Sequence, residues 1–304
     1  MTEAAFHNVS YRYPGQTDRN AVSNVTLGIK PGVTLLMGPN GAGKTTLLHL
    51  LATLLYPQQG KVTFTTADEH GERMLPPRGR WPELMSRVFF LPEKIETRLR
   101  SIKEAVECHA PLYPNFSHEL LTSNMEMLGT DIKKPLKQMS LGEQKRALLC
   151  YALSLQTDLL LLDEPVNGFD MGARDTARMI VARSIDPERQ AMVMSTHTVA
   201  DFKPLFDHIM YVSRGQVTLA ASTDTITERL AFNALPIPTA DSIYTTQDMG
   251  MFRCISPNSG EDTDIDLHLL YQALCDKRAS KTIIEILTTT PPDFNGQYGK
   301  EGRI

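Results

Sequence analysis

Residues 38–45 read Gly38-Pro39-Asn40-Gly41-Ala42-Gly43-Lys44-Thr45, and this stretch decides the fold. Gly38 and Gly43 permit backbone angles that a side chain would forbid, so the loop can wrap an anion with its N–H groups. In such a loop Lys44 reaches the β- and γ-phosphates, and the Thr45 hydroxyl suits Mg²⁺. The stretch therefore predicts a site for a nucleoside triphosphate.

The flanking sequence supports this prediction. The apolar run 33–37 before the loop is typical of a buried strand, and a helical stretch opens at Thr46. The N-terminus of a helix favours phosphate. A chance match to this glycine-and-lysine pattern has odds of roughly one per cent in a chain of this length. A plain glycine turn is the competing interpretation, and the strand and helix disfavour it.

Composition narrows the class of protein. With a net charge of −4, the chain has no global basic field, so we predict no nucleic-acid partner. Its four cysteines are widely separated, and they suggest neither a zinc site nor a disulfide framework. The N-terminus lacks the pattern of a signal peptide, and the apolar runs are too short to cross a bilayer. If the protein acts at a membrane, the membrane-spanning part is therefore expected to be another chain.

Strand and helix patterns divide the chain into segments. Residues up to about 91 alternate in a strand-like manner around the phosphate loop, with a polar surface excursion at 68–80. Residues from about 93 to 150 are predicted to be helical. There, capping boxes open at Ser101 and Ser140, and Gly129 is placed to end a helix over 117–128.

Strands and helices alternate again after residue 155, which implies a parallel sheet covered on both faces. The predicted elements are strands at 159–162, 191–195, 209–212 and 216–220, and a helix at 172–185. After 224 the composition shifts to a linker at 233–241 and then a small α+β extension. The elements predicted there are a strand at 252–256, a helix at 264–274, a strand at 282–288 and a frayed tail at 300–304.

Two further motifs lie at the ends of predicted strands. The strand 159–162 runs into Asp163 and Glu164, which would be costly to bury unless a cation meets them. The first acid suits Mg²⁺, and the second is placed to orient and polarise an attacking water. His197 follows the strand 191–195, at the strand ends where ligands of parallel sheets bind. Taken alone, His197 is more often structural.

Together with Ser140-Leu141-Gly142-Glu143, these motifs resemble those of the ATP-binding subunits of ABC transporters. Their order and spacing agree with the family over about residues 4–222, and residues 166–170 occupy the D-loop position. The resemblance implies an α/β P-loop ATPase fold of the ABC type, with a mixed sheet. It also implies an ATPase domain over 1–224, its helical subdomain at about 93–150, and a C-terminal extension over 225–304.

Two positions depart from the family pattern. The signature L-S-G-G-Q is here M-S-L-G-E, so Leu141 replaces a glycine and Glu143 a glutamine. Signatures of the S-L-G type look familiar among ABC exporters with a separate ATPase chain, so we expect function to survive. Glu93 stands where the family usually has the Q-loop glutamine. Its interpretation stays open between a Mg²⁺ ligand and a solvated loop acid.

The resemblance assigns roles residue by residue. It implies that Glu164 is the general base, that His197 contacts the γ-phosphate and that Lys44 is also catalytic. It implies Mg²⁺ ligands at Thr45, Asp163 and Glu93. The implied nucleotide-binding residues are Tyr13, Gly38, Pro39, Asn40, Gly41, Ala42, Gly43, Lys44, Thr45, Thr46, Ser140, Gly142 and Glu143. Tyr11 is the alternative to Tyr13 for stacking on adenine, and both could instead be edge-strand tyrosines.

The resemblance also implies partners. ABC ATPases bind ATP between the P-loop of one subunit and the signature of another, so we expect a homodimer or heterodimer of ATPase subunits. A separate integral membrane permease would carry out export. The surface of this chain that contacts the permease is expected at roughly 93–124. The chain would then lie peripherally on the cytoplasmic face of the membrane. The alternative is a soluble, non-transport ABC-type ATPase that acts as an assembly or mechanical module.

Overall fold

The computed structural model describes residues 2–16, 19–68, 71–75, 82–95 and 99–288. The chain forms two compact units that divide between Ala220 and Ala221. The elements that begin in the first unit are β1 (Thr2–Tyr11), β2 (Val22–Ile29), β3 (Gly32–Met37), α1 (Lys44–Leu51), β4 (Gln59–Asp68), β5 (Gly71–Leu75), α2 (Pro82–Met85), β6 (Val88–Leu91), α3 (Ile102–His109), α4 (His118–Met127), α5 (Leu141–Ser154), β7 (Leu159–Asp163), α6 (Met171–Ser184), β8 (Ala191–Ser195), α7 (Val199–Phe202), β9 (His208–Ser213) and β10 (Gln216–Ser222).

A six-stranded sheet with the order β10-β9-β3-β8-β7-β6 carries the phosphate loop. Its pairs from β9 through β6 are parallel, as the sequence predicts. Every residue of β3, β7 and β8 is buried, which is why these strands are continuous apolar runs. Because the strands are parallel, the loops that follow β3, β7 and β8 meet at one edge of the sheet.

A second sheet, with the order β2-β1-β4-β5, is antiparallel. Parallel and antiparallel strand pairs thus both occur in the first unit. Residues of both sheets and of α1 share one apolar core, in which Phe6 and Phe64 are no more than 1 % exposed. Leu47, Leu48 and Leu51 of α1 are also buried there. The burial of these leucines fixes the helix that follows the phosphate loop.

The predicted helical segment contains α3, α4 and α5. The capping box at Ser140 is complete, with both Ser140 and Glu143 bonded to each other's backbone N–H. Of the two hydrogen bonds that define the capping box predicted at Ser101, only one forms. The Ser101 side chain accepts the Glu104 N–H, but the Glu104 carboxylate turns to the N–H of Arg100. Helix α3 ends at His109, as expected from Pro111, which stops a helix predicted to run to about Ala110, and Ala110–Leu112 form a short 3₁₀ turn.

The second unit is α+β, with the elements α8 (Thr223–Arg229), β11 (Leu230–Leu235), β12 (Tyr244–Asp248), β13 (Met251–Pro257), α9 (Leu267–Cys275) and α10 (Lys277–Thr288). Its three strands form an antiparallel sheet with the order β11-β13-β12. Part of the predicted linker is therefore strand β11, and β12 was not predicted.

The strand predicted at 282–288 is wrong, because these residues belong to α10. The β-branched run Thr282-Ile283-Ile284 suggests a strand. The buried residues Ala279, Ile283 and Leu287 recur every four positions, however, which is the period of a helix face. Within the polar excursion, 71–75 form β5, whereas 76–80 and the tail 300–304 lie outside the described residues.

A buried polar contact joins α4 to α6. Asn124 is fully buried, and its Nδ2 donates to Ser184 Oγ over 3.1 Å. Arg183 donates to Asn124 Oδ1 through Nη2, over 2.7 Å, and through Nε, over 3.1 Å. The inserted helices are thereby fixed to the helix that follows the D-loop position.

We expect Asn124→Ala to lower the free energy of unfolding by about 2 kcal/mol, because it leaves buried hydrogen-bond partners unsatisfied. Urea unfolding followed by circular dichroism measures the change. Thr122→Ala is the matched control, because Thr122 lies exposed on the same helix, and we expect a change within about 0.5 kcal/mol. Equal effects of the two substitutions would contradict the assigned role of Asn124.

Candidate functional site

The phosphate loop between β3 and α1 approaches neighbouring backbone too closely for side chains. Gly38 has φ +149°, and a Cβ there would lie 2.2 Å from the Val212 carbonyl oxygen. Gly43 has φ +113°, and its Cβ would lie 2.4 Å from the Ala21 carbonyl oxygen. Glycine at these two positions is therefore required by both conformation and space.

Lys44 folds back over this loop. Its Nζ donates to the Gly38 carbonyl over 2.7 Å and to the Pro39 carbonyl over 3.3 Å. Burial lowers the pKa of Lys44, and the carboxylates of Glu164 and Asp163 oppose that shift. A half-buried ammonium at a loop of backbone N–H groups is well suited to a phosphate anion.

Asp163 at the end of β7 is held by two hydroxyl groups. Thr45 Oγ1 donates to its Oδ2 over 2.7 Å, and Ser195 Oγ donates to its Oδ1 over 2.6 Å. The aspartate is only 5 % exposed. Asp163 thus connects the first turn of α1 to the end of β8, and the predicted pair of Mg²⁺ ligands, Thr45 and Asp163, is brought together.

Glu164 and His197 also meet at this edge of the sheet. The Glu164 N–H donates to Ser195 Oγ over 3.0 Å, and its Oε2 accepts the His197 backbone N–H over 3.2 Å. Its Oε1 is buried, and His197 Nε2 approaches it to 3.3 Å without forming a hydrogen bond. Burial raises the pKa of Glu164, and the nearby His197 opposes the shift.

A cleft of about 640 Å³ opens over these side chains. It gathers most of the predicted site residues, although Gly38, Pro39 and Ala42 shape the loop without lining the cleft. The residues that line it are Tyr13, Gly15, Gln16, Arg19, Asn20, Ala21, Asn40, Gly41, Gly43, Lys44, Thr45, Thr46, Glu93, Asp163, Glu164 and His197.

The two candidate tyrosines for adenine stacking have different surroundings. Tyr13 lines the cleft, and its hydroxyl lies 3.2 Å from Thr46 Oγ1. Tyr11 is only 7 % exposed within β1, and it packs edge-to-face against Tyr13 with ring centroids 5.1 Å apart. The geometry therefore favours Tyr13 over Tyr11 as the residue that reaches a ligand.

Glu93 lines the cleft from an exposed position after β6. Its Oε1 accepts a hydrogen bond from Asn167 Nδ2 over 3.2 Å. The Q-loop position is thus connected to the D-loop position in this chain. Glu93 lines the same cleft as Thr45 and Asp163, which is compatible with a shared Mg²⁺ site. Its role as a Mg²⁺ ligand stays a prediction.

The signature residues lie elsewhere. Ser140 caps α5, and a Cβ on Gly142 would be 3.5 Å from the Gly168 carbonyl oxygen, so the start of α5 lies beside the D-loop position. Leu141 is 63 % exposed. Neither Ser140, Gly142 nor Glu143 lines the cleft formed by the described residues. The structure thus separates the signature from the chain's own phosphate loop.

Sequence reasoning missed one wall of the cleft, which consists of Gly15, Gln16, Arg19, Asn20 and Ala21 between β1 and β2. A signal existed, because the Pro14-Gly15 pair marks a turn between two strand-like runs. No sequence pattern states that this turn folds over the phosphate loop. The hydrogen bond from the Ser23 N–H to the Gly215 carbonyl, over 2.8 Å, helps to hold the chain after this turn.

The residues present fit a magnesium nucleotide. Gly38 and Gly43 let the loop pack against the Val212 and Ala21 carbonyls in a positive-φ conformation, and glycine-rich loops of this kind bind anions through their N–H groups. The Thr45 hydroxyl and the Asp163 carboxylate are oxygen donors of the kind that Mg²⁺ prefers alongside phosphate oxygens and water. Glu164 Oε1 is buried without a hydrogen-bond donor among the described residues.

We expect Gly43→Ala to abolish nucleotide binding, because the new Cβ would overlap the Ala21 carbonyl oxygen and displace the loop. Gly41→Ala is the matched control. Gly41 also has positive φ, +72°, but a Cβ there meets nothing within 4 Å, so weakened binding should remain measurable. A fluorescent ATP analogue reports affinity, and thermal unfolding reports stability. Equal affinities of the two variants would contradict this account of the loop.

Comparison with known proteins agrees with this geometry. The family model described as ABC transporter matches residues 22–167. The zinc import ATP-binding protein ZnuC of Pseudomonas syringae pv. syringae (strain B728a) is 29% identical over 199 residues, covering 64% of this chain and 69% of the relative. The energy-coupling factor transporter ATP-binding protein EcfA2 of Enterococcus faecalis (strain ATCC 700802 / V583) is 27% identical over 258 residues, covering 77% and 85%.

Solved structures share the fold. A dimeric ATP-binding cassette in a post-hydrolysis state, bound to ADP and Pi, superposes with a TM-score of 0.59 at 21% identity, covering 72% of this chain and 98% of that one. The ATP-binding subunit of an ABC transporter gives a TM-score of 0.60 at 20% identity, covering 73% and 91%. Residues 22–167 are therefore an ATPase domain of the ABC transporter type, and the relatives of the chain are named as ATP-binding proteins of transporters.

Proposed function

We propose that two such subunits, either two copies of this chain or this chain and a relative, bind ATP head to tail at their seam and drive a separate membrane permease. The observation that carries the proposal is the position of Ser140 and Gly142. They lie outside the cleft of their own chain, at a helix N-terminus that favours phosphate. A second subunit would bring that helix to the open side of the cleft.

Within each cleft, the chain's own residues bind and orient the phosphates. Lys44 would exchange its two loop carbonyls for the β- and γ-phosphate oxygens, and the loop N–H groups would surround the β-phosphate. Thr45 and Asp163 would hold Mg²⁺, which neutralises charge on the transferred phosphoryl group. Tyr13 would stack on adenine. The proposed contribution is positioning and charge stabilisation.

Glu164 would act as the general base. Its carboxylate lies at the cleft wall, and its Oε2 is anchored by the His197 N–H. The buried Oε1 would accept a proton as water attacks the γ-phosphate. The His197 side chain is 60 % exposed, so it can turn from Glu164 toward the γ-phosphate when nucleotide binds. His197 would then report the presence of the γ-phosphate to Glu164.

A separate permease would receive the mechanical work. None of the described helices is long and apolar enough to span a membrane, and we place the chain peripherally on the cytoplasmic face. The permease contact is proposed at roughly 93–124, where Leu112 is 64 % exposed. We further propose residues 1–224 as the ATPase domain, with a helical subdomain at about 93–150, and 225–304 as an extension.

The direction of transport is proposed from the sequence alone. The M-S-L-G-E signature at 139–143 resembles that of exporters with a separate permease. The zinc import proteins among the relatives bear a name that favours the opposite direction. The alternative of a soluble assembly or mechanical module is disfavoured by the transporter names of the relatives.

We expect Glu164→Gln to bind ATP and stop turnover, because the amide cannot accept the proton, and to accumulate as an ATP-bound dimer. Multi-angle light scattering with and without ATP measures the dimer, and phosphate release measures turnover. Adding Ser140→Phe to this variant should keep the chain monomeric while ATP binding continues. Wild-type turnover in Glu164→Gln would remove the base role, and a Ser140→Phe protein that still dimerises would refute the head-to-tail seam.

We expect the native protein to sediment with the membrane fraction and to be released at alkaline pH without detergent, because it would be held by a permease. After gentle solubilisation, it should elute together with a multi-span membrane protein. Replacing the exposed Leu112 with Glu should reduce this association, whereas Met85→Glu, also at an exposed residue, is the control outside 93–124. A protein that stays wholly in the soluble fraction would favour the assembly or mechanical module.

A further inference from the structure

The signature of this chain carries an acid at Glu143, in the first turn of α5. The Glu143 carboxylate is fully engaged inside the chain. Its Oε2 accepts the Ser140 N–H over 2.8 Å, and its Oε1 accepts a hydrogen bond from Lys134 Nζ over 2.8 Å. The Lys134 and Ser140 hydrogen bonds lower the pKa of Glu143 to about 2. The side chain therefore carries a full negative charge at neutral pH.

That charge opposes the proposed task of the helix terminus. A carboxylate in the first turn stabilises the helix, because it interacts favourably with the helix dipole and completes the capping box. The same charge cancels the positive potential that a helix N-terminus offers to phosphate, and it repels the γ-phosphate directly. A neutral glutamine, as in the family pattern, carries no such penalty.

Lys134 supplies the missing positive charge from the loop between α4 and α5. This loop is held in place by its backbone. The Leu136 N–H donates to the Arg100 carbonyl over 2.7 Å, and the Lys103 N–H donates to the Ile132 carbonyl over 3.0 Å. Lys134 and Glu143 are 36 % and 29 % exposed, so the pair is partly desolvated. The loop that carries Lys134 is thus held beside the terminus of α5 by the start of α3 and by Arg100 just before it.

We propose that Lys134 is a positioning residue for the shared ATP site, where it neutralises Glu143 so that the Ser140–Gly142 terminus can accept the γ-phosphate of the partner subunit's nucleotide. This inference rests on the proposed head-to-tail dimer. Lys134 need not touch ATP. Its task is to bind one oxygen of Glu143 while the Ser140 N–H binds the other.

The test uses ATP-driven dimerisation of the full chain in the Glu164→Gln background. We expect Lys134→Met to raise the ATP concentration for half-maximal dimer about fivefold to tenfold, the scale of one charge-assisted contact in a partly buried setting. Glu143→Gln should need no more ATP than the background protein. The decisive variant combines Lys134→Met with Glu143→Gln, and it should behave like Glu143→Gln alone because no charge is left to neutralise.

Controls separate charge neutralisation from a loss of structure. Lys133→Met removes an equal charge from the exposed neighbouring position and should leave dimerisation unchanged. Lys134→Arg should retain it, because arginine also pairs with a carboxylate. Circular dichroism should show equal helix content among the variants at the temperature of the binding measurement.

Three results would overturn the inference: no effect of Lys134→Met, an equal effect of Lys133→Met, or a defect that persists in the combined variant. The last result would mean that Lys134 acts on the nucleotide or on the fold rather than through Glu143. If the Glu164→Gln background itself fails to dimerise with ATP, the proposed seam fails instead. The two failures are therefore distinguishable.

Discussion

The site depends on one buried carboxylate, Asp163, and on the two hydroxyl groups that satisfy it. Thr45 and Ser195 come from segments far apart in the chain, and both bond to Asp163 within 2.7 Å. A buried carboxylate without such partners would be strongly destabilising. The aspartate therefore fixes the first turn of α1 against the ends of β7 and β8. Lys44 and Glu164 are the direct chain neighbours of these bonded residues, so their positions at the cleft follow from the same contacts.

The sequence predicts this part of the molecule well because each motif there is local and is constrained by backbone conformation or charge. The need for glycine at Gly38 and Gly43 can be predicted from the sequence, because no other residue fits beside Val212 and Ala21. The secondary structure of the second unit is predicted less well from the sequence. The strand predicted at 282–288 is a helix because burial at Ala279, Ile283 and Leu287 outweighs the β-preference of a three-residue run. Likewise, the cleft wall at 15–16 and 19–21 arises from tertiary folding over the phosphate loop, which no local pattern encodes.

The separation of the signature from the cleft is a structural property that the sequence order hides. Along the chain, Ser140 lies between the phosphate loop and Asp163, which would suit a ligand of the same pocket. In the structure, the start of α5 lies beside Gly168 and its Leu141 is 63 % exposed. An exposed leucine next to a capped helix terminus is costly to leave in water and gains by burial. Burial of Leu141 would therefore favour the proposed closure of a second subunit over the cleft.

At Glu143, the stability of α5 and the proposed binding of phosphate favour different side chains. For the isolated chain an acid is the better choice, because it completes the capping box of α5 and bonds to Lys134. For a site that accepts a triphosphate it is the worse choice, because like charges repel at short range. A lysine on a loop anchored to α3 reconciles the two demands, since it cancels the charge without releasing the cap. A departure from the family signature at one position is therefore best interpreted together with the residue that contacts it, and that residue lies outside the motif itself.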